Sequence, residues 1–378
     1  MFYFDNSATT QVDPQVIEEI SAVMAQHFAN PSSLYTPGAK SEQVMNNARA
    51  AVAAAMGCGA GEVVFTACGS ESNNIAILGA LRARQNWANN IVCTGYEHPS
   101  VNNVMQRLEK EGWTVNFVNP NENGVVDTEK MLARVNEKTA LVCAMHVNNE
   151  IGTIIDVAAL AEQVKQKNSR TAVHVDGVQA FLKLPTALAA TKIDSYAVSG
   201  HKVHAPKGIA ALYLRKNYHI DPPFLGGGQE RGLRPGTENV PYIAGFAKAC
   251  SLMQPCIAQN AAKMQALNAQ LRQGLAAISR ASVNSPSDAL PYILNVSFDK
   301  VRSETLLHYL EARDIYVSSG SACSKGAASH TLAAMGLSNM RRDSALRISM
   351  GDTTTPQAVD ALLAALTEGC EKLAKVRR

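Results

Sequence analysis

Short β-branched runs alternate along this chain with longer stretches of helical period. Residues 62–66, 90–93, 114–118, 140–144 and 172–176 read as strands, and residues 41–56, 100–110 and 157–167 read as helices between them. Strand, crossover helix and strand in repetition predict a mostly parallel sheet covered on both faces. Ligands then bind beyond the carboxyl ends of the strands. After Lys202 the rhythm changes. Residues 208–214 read as a further strand, a Pro- and Gly-rich loop follows, and one long helical stretch runs from Pro241 to about Ala277. The pattern predicts a large domain of about residues 11–254. Residues 1–10 and 255–378 form a smaller second domain.

Composition narrows the classes. The chain has 378 residues, is 46% hydrophobic, and carries 35 Lys+Arg against 32 Asp+Glu, a net charge of +3. So small an excess provides no basic field of the kind nucleic-acid binders use. No apolar stretch approaches the ~18 residues needed to cross a bilayer. The first residues lack the basic and apolar regions of an export signal. Eight cysteines without a CxxC pair or a ladder of spacings point to a reducing, cytoplasmic setting.

Some motifs are decoys. Gly57-Cys58-Gly59-Ala60-Gly61 looks like a dinucleotide loop, but it follows a helix and precedes a strand, so it reads as a helix stop. His174-x-Asp176 resembles part of an iron-binding triad, yet that reading wants an all-β barrel. His201 and His204 lack an acidic or cysteine partner at metal-binding spacing.

Five segments make chemical sense together. Ser199-Gly200-His201-Lys202 ends a strand; its lysine is either a solvated charge or an amine kept partly neutral for covalent work on a carbonyl. Asp176 at the end of another strand either caps a turn or holds a proton on a pyridine nitrogen. Residues 66–74 run from a strand into a helix start whose N–H groups and hydroxyls suit a phosphate, or make an ordinary cap. His98, after a third strand, is incidental alone, or a ring-stacking proton carrier. In residues 318–330, eleven of thirteen are Ser, Gly, Ala or Cys, so the segment buries little apolar surface and should be mobile. A cysteine carried on it can visit a pocket and leave with cargo.

These segments give the chain its resemblance to a known family. Residues 4–10, Glu71-Ser72-Asn73-Asn74, Glu97-His98, residues 146–153, residues 174–179, Ser199-Gly200-His201-Lys202, residues 226–237 and residues 318–323 occur in the family's order. The chain resembles the pyridoxal-phosphate-dependent cysteine desulfurases of group I, the NifS/IscS type, over essentially its whole length. The resemblance implies an α/β fold of PLP fold type I, similar to aspartate aminotransferase. It implies a seven-stranded, mostly parallel sheet in the large domain and a smaller C-terminal α+β domain carrying the cysteine loop. It also implies pyridoxal 5′-phosphate bound covalently to Lys202, with Asp176 on the ring nitrogen, Gln179 on the ring hydroxyl and His98 stacked on the ring. Gly69, Ser70, Ser199 and His201 are expected at the phosphate, and Thr237 at the phosphate of a neighbouring subunit, making a homodimer. Asn148 and Arg347 are expected to bind the carboxylate of L-cysteine, and Cys323 to accept its sulfur for transfer to an acceptor protein. The sequence ends at Arg378 without the C-terminal extension by which some group I members dock an iron–sulfur scaffold. Rival readings are a selenocysteine lyase or an aminotransferase on the same fold, and a non-catalytic sulfur-relay protein.

Overall fold

The computed structural model describes residues 1–319 and 329–375. Seven strands form the central sheet: β2 (Val63–Thr66), β3 (Asn90–Thr94), β4 (Thr114–Val118), β5 (Thr139–Met145), β6 (Ala172–Asp176), β7 (Ser195–Ser199) and β8 (Ala210–Leu214). Their order is β2-β8-β7-β6-β5-β3-β4, and β8 alone runs against the other six.

Every strand but β4 is buried along its whole length between helices on both faces, so most of their side chains are apolar whichever way they point. All seven positions of β5 are buried. Val92, Val142 and Val173 join one apolar cluster, while their neighbours Ile91, Cys93, Leu141 and Cys143 join another. Cys143 is thus a small core residue. The helix Thr36–Met56 ends on Gly57 at φ 63°, the left-handed conformation a helix stop uses, as the glycine-rich decoy predicts.

The long helix expected from Pro241 to about Ala277 is two helices, Val240–Met253 and Ile257–Ala276, separated by a 3-10 turn over Gln254–Cys256. Pro255 is the reason: proline has no N–H for the ladder, and its ring clashes with the carbonyl four residues earlier. A second apolar core follows this break. It packs against an antiparallel sheet of order β12-β10-β9, made of β9 (Ala281–Val283), β10 (Ile293–Phe298) and β12 (Ala345–Ser349). The start of the chain joins this part: β1 (Phe2–Tyr3) pairs in parallel with β11 (Ile315–Tyr316), and Asp5 bridges Ser349. No described helix is long and apolar enough to cross a membrane.

Candidate active site

The carboxyl ends of β2, β3, β5, β6 and β7 open on one edge of the sheet, and their following loops converge there. They wall a cavity of about 200 Å³ together with Ser7, Ala8 and Arg347. Of the residues singled out in the sequence, the cavity brings together Lys202, Asp176, His98, Gln179, Gly69, Ser70, Ser199, His201 and Arg347.

At one end, the helix Gly69–Arg82 points its first turn at the cavity, and its N-cap Cys68 makes no side-chain cap. Gly69 is needed for the close approach, since a Cβ there would lie 2.9 Å from Val178 Cγ2. Ser199 Oγ is buried without a hydrogen-bond partner. Burial, helped by Lys202, Lys207, Lys183 and His98, pushes His201 down to about 3, so its ring is neutral.

Asp176, at the end of β6, is buried; Oδ1 accepts from Val178 N–H at 3.0 Å and Oδ2 from Asn73 Nδ2 at 2.9 Å. His98 is the N-cap of the helix Pro99–Lys110, with Nδ1 accepting from Ser100 N–H at 3.1 Å. Burial lowers its pKa, which Asp176 raises and Lys202 lowers further. Lys202 Nζ donates to the carbonyls of Ser7 at 2.5 Å and Ala8 at 2.8 Å. Gln179 Nε2 donates to the same Ser7 carbonyl at 2.9 Å. Ser7 and Ala8 thus form part of the wall of the site.

Arg347 is 1% exposed, although it is one of the largest side chains in the chain. Its Nη2 pairs with Asp5 Oδ1 at 2.7 Å and its Nη1 donates to the Asn149 carbonyl at 3.1 Å, while its buried Nε has no partner. A guanidinium held this way is fixed in place at the cavity wall.

Asn148 does not take the place expected of it. Its Oδ1 accepts from Glu150 and Ile151 N–H, at 2.9 and 3.0 Å, and its Nδ2 donates to the Tyr96 carbonyl at 3.2 Å. Both ends are spent on shaping the loop after β5, and the residue that lines the cavity is Asn149. Thr237, expected at a neighbouring subunit's phosphate, is exposed and lines a different cavity of this chain, with Glu230 and Arg234. Cys323 lies outside the described residues. The described chain on either side of it is tied near the cavity. Ser318 N–H donates to the Arg347 carbonyl at 3.1 Å, and Ser329 Oγ donates to Glu150 Oε2 at 2.5 Å.

Sequence reasoning missed Asp5, Asn149, Lys183 and the paired roles of Asn73 and Ser100. Lys183 is fully enclosed and donates to Gln179 Oε1 at 3.2 Å; burial, with Lys202 and Arg347, pushes it down to about 7. Asn73 was findable, because it lies three residues after Ser70 and so on the same helix face. Glu97, next to His98, is pushed up to about 8 by burial, opposed by its bond from Thr94.

The family model for class V aminotransferases matches residues 2–362. The chain belongs to the class V aminotransferase family. A cysteine desulfurase of Nostoc sp. is 40% identical over 377 residues, covering 99% of this chain and 94% of the relative. The cysteine desulfurase IscS 1 of Archaeoglobus fulgidus is 34% identical, covering 99% and 98%. Among solved structures, a NifS-like protein matches with a TM-score of 0.93 and 37% identity over 99% of this chain and all of that one. A NifS-like protein from Rickettsia africae matches with a TM-score of 0.88 and 31% identity, covering 98% and 99%.

Class V aminotransferases and NifS-like enzymes depend on pyridoxal phosphate, and this cavity fits that group. A helix start and the unpartnered Ser199 hydroxyl meet the needs of a dianionic phosphate. A carboxylate suited to a ring N–H and an amine suited to an aldehyde line the same space.

Proposed function

We infer that the protein is a cysteine desulfurase, which removes sulfur from L-cysteine with pyridoxal 5′-phosphate as its cofactor and leaves L-alanine. One observation carries the reading. Lys202, Asp176, His98 and Arg347 converge on one cavity in a chain 34–40% identical, over nearly its full length, to curated cysteine desulfurases.

The bound cofactor supplies an electron sink for the pair left at the substrate's α-carbon. Gly69, Ser70, Ser199 and His201 hold its phosphate, Gln179 its ring hydroxyl, and Asp176 keeps a proton on its ring nitrogen. Lys202 would hold it covalently, and its amine, oriented by the Ser7 and Ala8 carbonyls, would serve as the base that takes the substrate's α-proton. His98 stacks on the ring and handles a proton near the reacting sulfur and carbon. Arg347 takes the substrate carboxylate, and Asn149 stands beside it in the place expected of Asn148.

Cys323 receives the sulfur. Its thiolate attacks the substrate sulfur, an S–S bond forms, and the Cβ–S bond breaks with its electron pair left on carbon. A proton completes alanine there, and the substrate's thiol hydrogen stays on the transferred sulfur as a persulfide. An acceptor protein then removes that sulfur for iron–sulfur cluster assembly or another thiolation.

The same proposal includes a homodimer in which Thr237 serves the partner's phosphate. The exposure of Thr237, and of Leu34 and Leu225, supports it. It includes a large unit of residues 11–254 and a smaller one of residues 1–10 and 255–378, supported by the break at Pro255 and the pairing of β1 with β11. It also places the enzyme in the cytoplasm.

Treating the purified protein with L-cysteine should produce alanine and one extra sulfur on the peptide containing Cys323, read by mass spectrometry. Alanine formation only in the presence of a 2-oxo acid, with no sulfur on the protein, would mark an aminotransferase instead. Arg347→Ala should raise the KM for cysteine by about 100-fold, the scale of a lost charge-assisted pair. An unchanged KM would remove Arg347 from the substrate site.

A further inference from the structure

A chain of hydrogen bonds runs along the cavity wall from Asp176 to His98, through two residues the reaction above does not use. Asn73 Nδ2 donates to Asp176 Oδ2 and to Ser100 Oγ, both at 2.9 Å. Ser100 Oγ lies 2.8 Å from His98 Nδ1, and Ser100 N–H donates to that same nitrogen at 3.1 Å. On the far side, Asn73 Oδ1 lies 3.0 Å from His174 Nε2, and His174 Nδ1 lies 2.9 Å from Ser195 Oγ. Asn73, His174, Asp176 and Ser195 are each at most 3% exposed, so water cannot substitute for a missing partner.

Because every group is paired, each proton position follows from the next. A carboxylate offers only lone pairs, so the Asn73 atom facing Asp176 must be the NH₂. The amide oxygen then faces His174, whose Nε2 must carry the hydrogen while Nδ1 accepts from Ser195. Burial keeps His174 neutral, pushing it down to about 3, so no second ring proton disturbs this assignment. The other Asn73 hydrogen goes to Ser100 Oγ, which therefore accepts there and turns its own hydrogen toward His98. His98 Nδ1 now accepts from two donors and carries no hydrogen itself. In neutral His98 the proton sits on Nε2.

We propose that Asn73 and Ser100 are positioning residues that carry the hydrogen-bonding demand of Asp176 to His98 and hold its imidazole in the tautomer protonated at Nε2. The proposal deepens the desulfurase reading and rests on it. It gives His98 a direction in the reaction: His98 enters as a proton donor at Nε2. Acting as a base at Nδ1 would require it to displace both the hydroxyl and the amide of Ser100. It also explains a shared design: the residue that steadies the carboxylate at the ring nitrogen also sets the proton on the ring-stacking imidazole.

The test reads the tautomer directly. The resting holoenzyme, with pyridoxal phosphate bound, ¹⁵N-histidine labels and no cysteine, gives two ring-nitrogen signals per imidazole in long-range ¹H–¹⁵N spectra. His98→Gln assigns the pair belonging to residue 98. The wild type should show Nε2 as the protonated nitrogen and Nδ1 as the bare one. Ser100→Ala should mix the two tautomers and lower kcat about tenfold, the scale of one hydrogen bond, with the KM for cysteine little changed. Ser100→Thr, which keeps the hydroxyl, should restore both. A wild-type His98 protonated at Nδ1, or a Ser100→Ala spectrum identical to wild type, overturns the proposal. Since the spectra need no turnover, that failure is distinct from a failure to release sulfur from cysteine.

Discussion

Lys202→Ala should remove the absorption band of lysine-bound cofactor and lower sulfur release by about 10⁴-fold or more, because covalent attachment and proton transfer are lost together. The site explains why so local a change is so costly. Lys202 Nζ is aimed by the Ser7 and Ala8 carbonyls, at 2.5 and 2.8 Å, and no other described amine lines the cavity. Lys183 is the nearest substitute by charge, but it is enclosed and turned onto Gln179. Borohydride treatment should fix the cofactor to the peptide containing Lys202 in the wild type and leave the variant unlabelled. Cofactor fixed to a different lysine would end this assignment.

Cys323→Ser should separate binding from sulfur transfer. The variant should still take up L-cysteine, seen as a spectral change of the bound cofactor, while sulfide release under reductant falls on the order of 10³-fold. Serine keeps the size of the side chain but supplies no thiolate at neutral pH. The described residues give this prediction its geometry. Ser318 is hydrogen-bonded to the Arg347 backbone and Ser329 to Glu150, so the described residues on both sides of the segment carrying Cys323 are anchored beside Arg347 and Asn149, which line the cavity. Wild-type turnover in Cys323→Ser would mean that sulfur leaves without this cysteine.

Most of the sheet was legible because burial on both faces leaves apolar runs, and β6 occupies the residues the pattern gave it; so does the less buried edge strand β4. The helix break at Pro255 was missed because apolar periodicity continues on both sides of it; only the missing N–H records the interruption. Position alone left Asp176 open as a turn cap and Lys202 as a solvated charge; the fold brings both to one cavity. Asn148 and Asn149 were not separable by position either. They have the same chemistry and adjacent numbers, and only the turn that consumes both ends of Asn148 decides which one faces the cavity. Asp5 and Arg347 meet across 342 residues of sequence, and no local pattern reports such a pair. Asn73 and Ser100 likewise gain their meaning from hydrogen bonds that the fold makes.

The strand from Phe2 to Tyr3 and the residues just after it have a consequence for how the enzyme is made. They are synthesised well before the residues they bind: β1 pairs with β11, and Asp5 binds Arg347, 342 residues later. At about 5–20 residues per second, that wait is roughly 20–70 seconds of translation. In its second half the growing polypeptide has Asp176 and then Lys202, but not yet the strand that carries Arg347. The cavity that suits the vitamin-derived coenzyme is therefore complete only once the strand carrying Arg347 has been made, and a product truncated before it lacks that part of the wall.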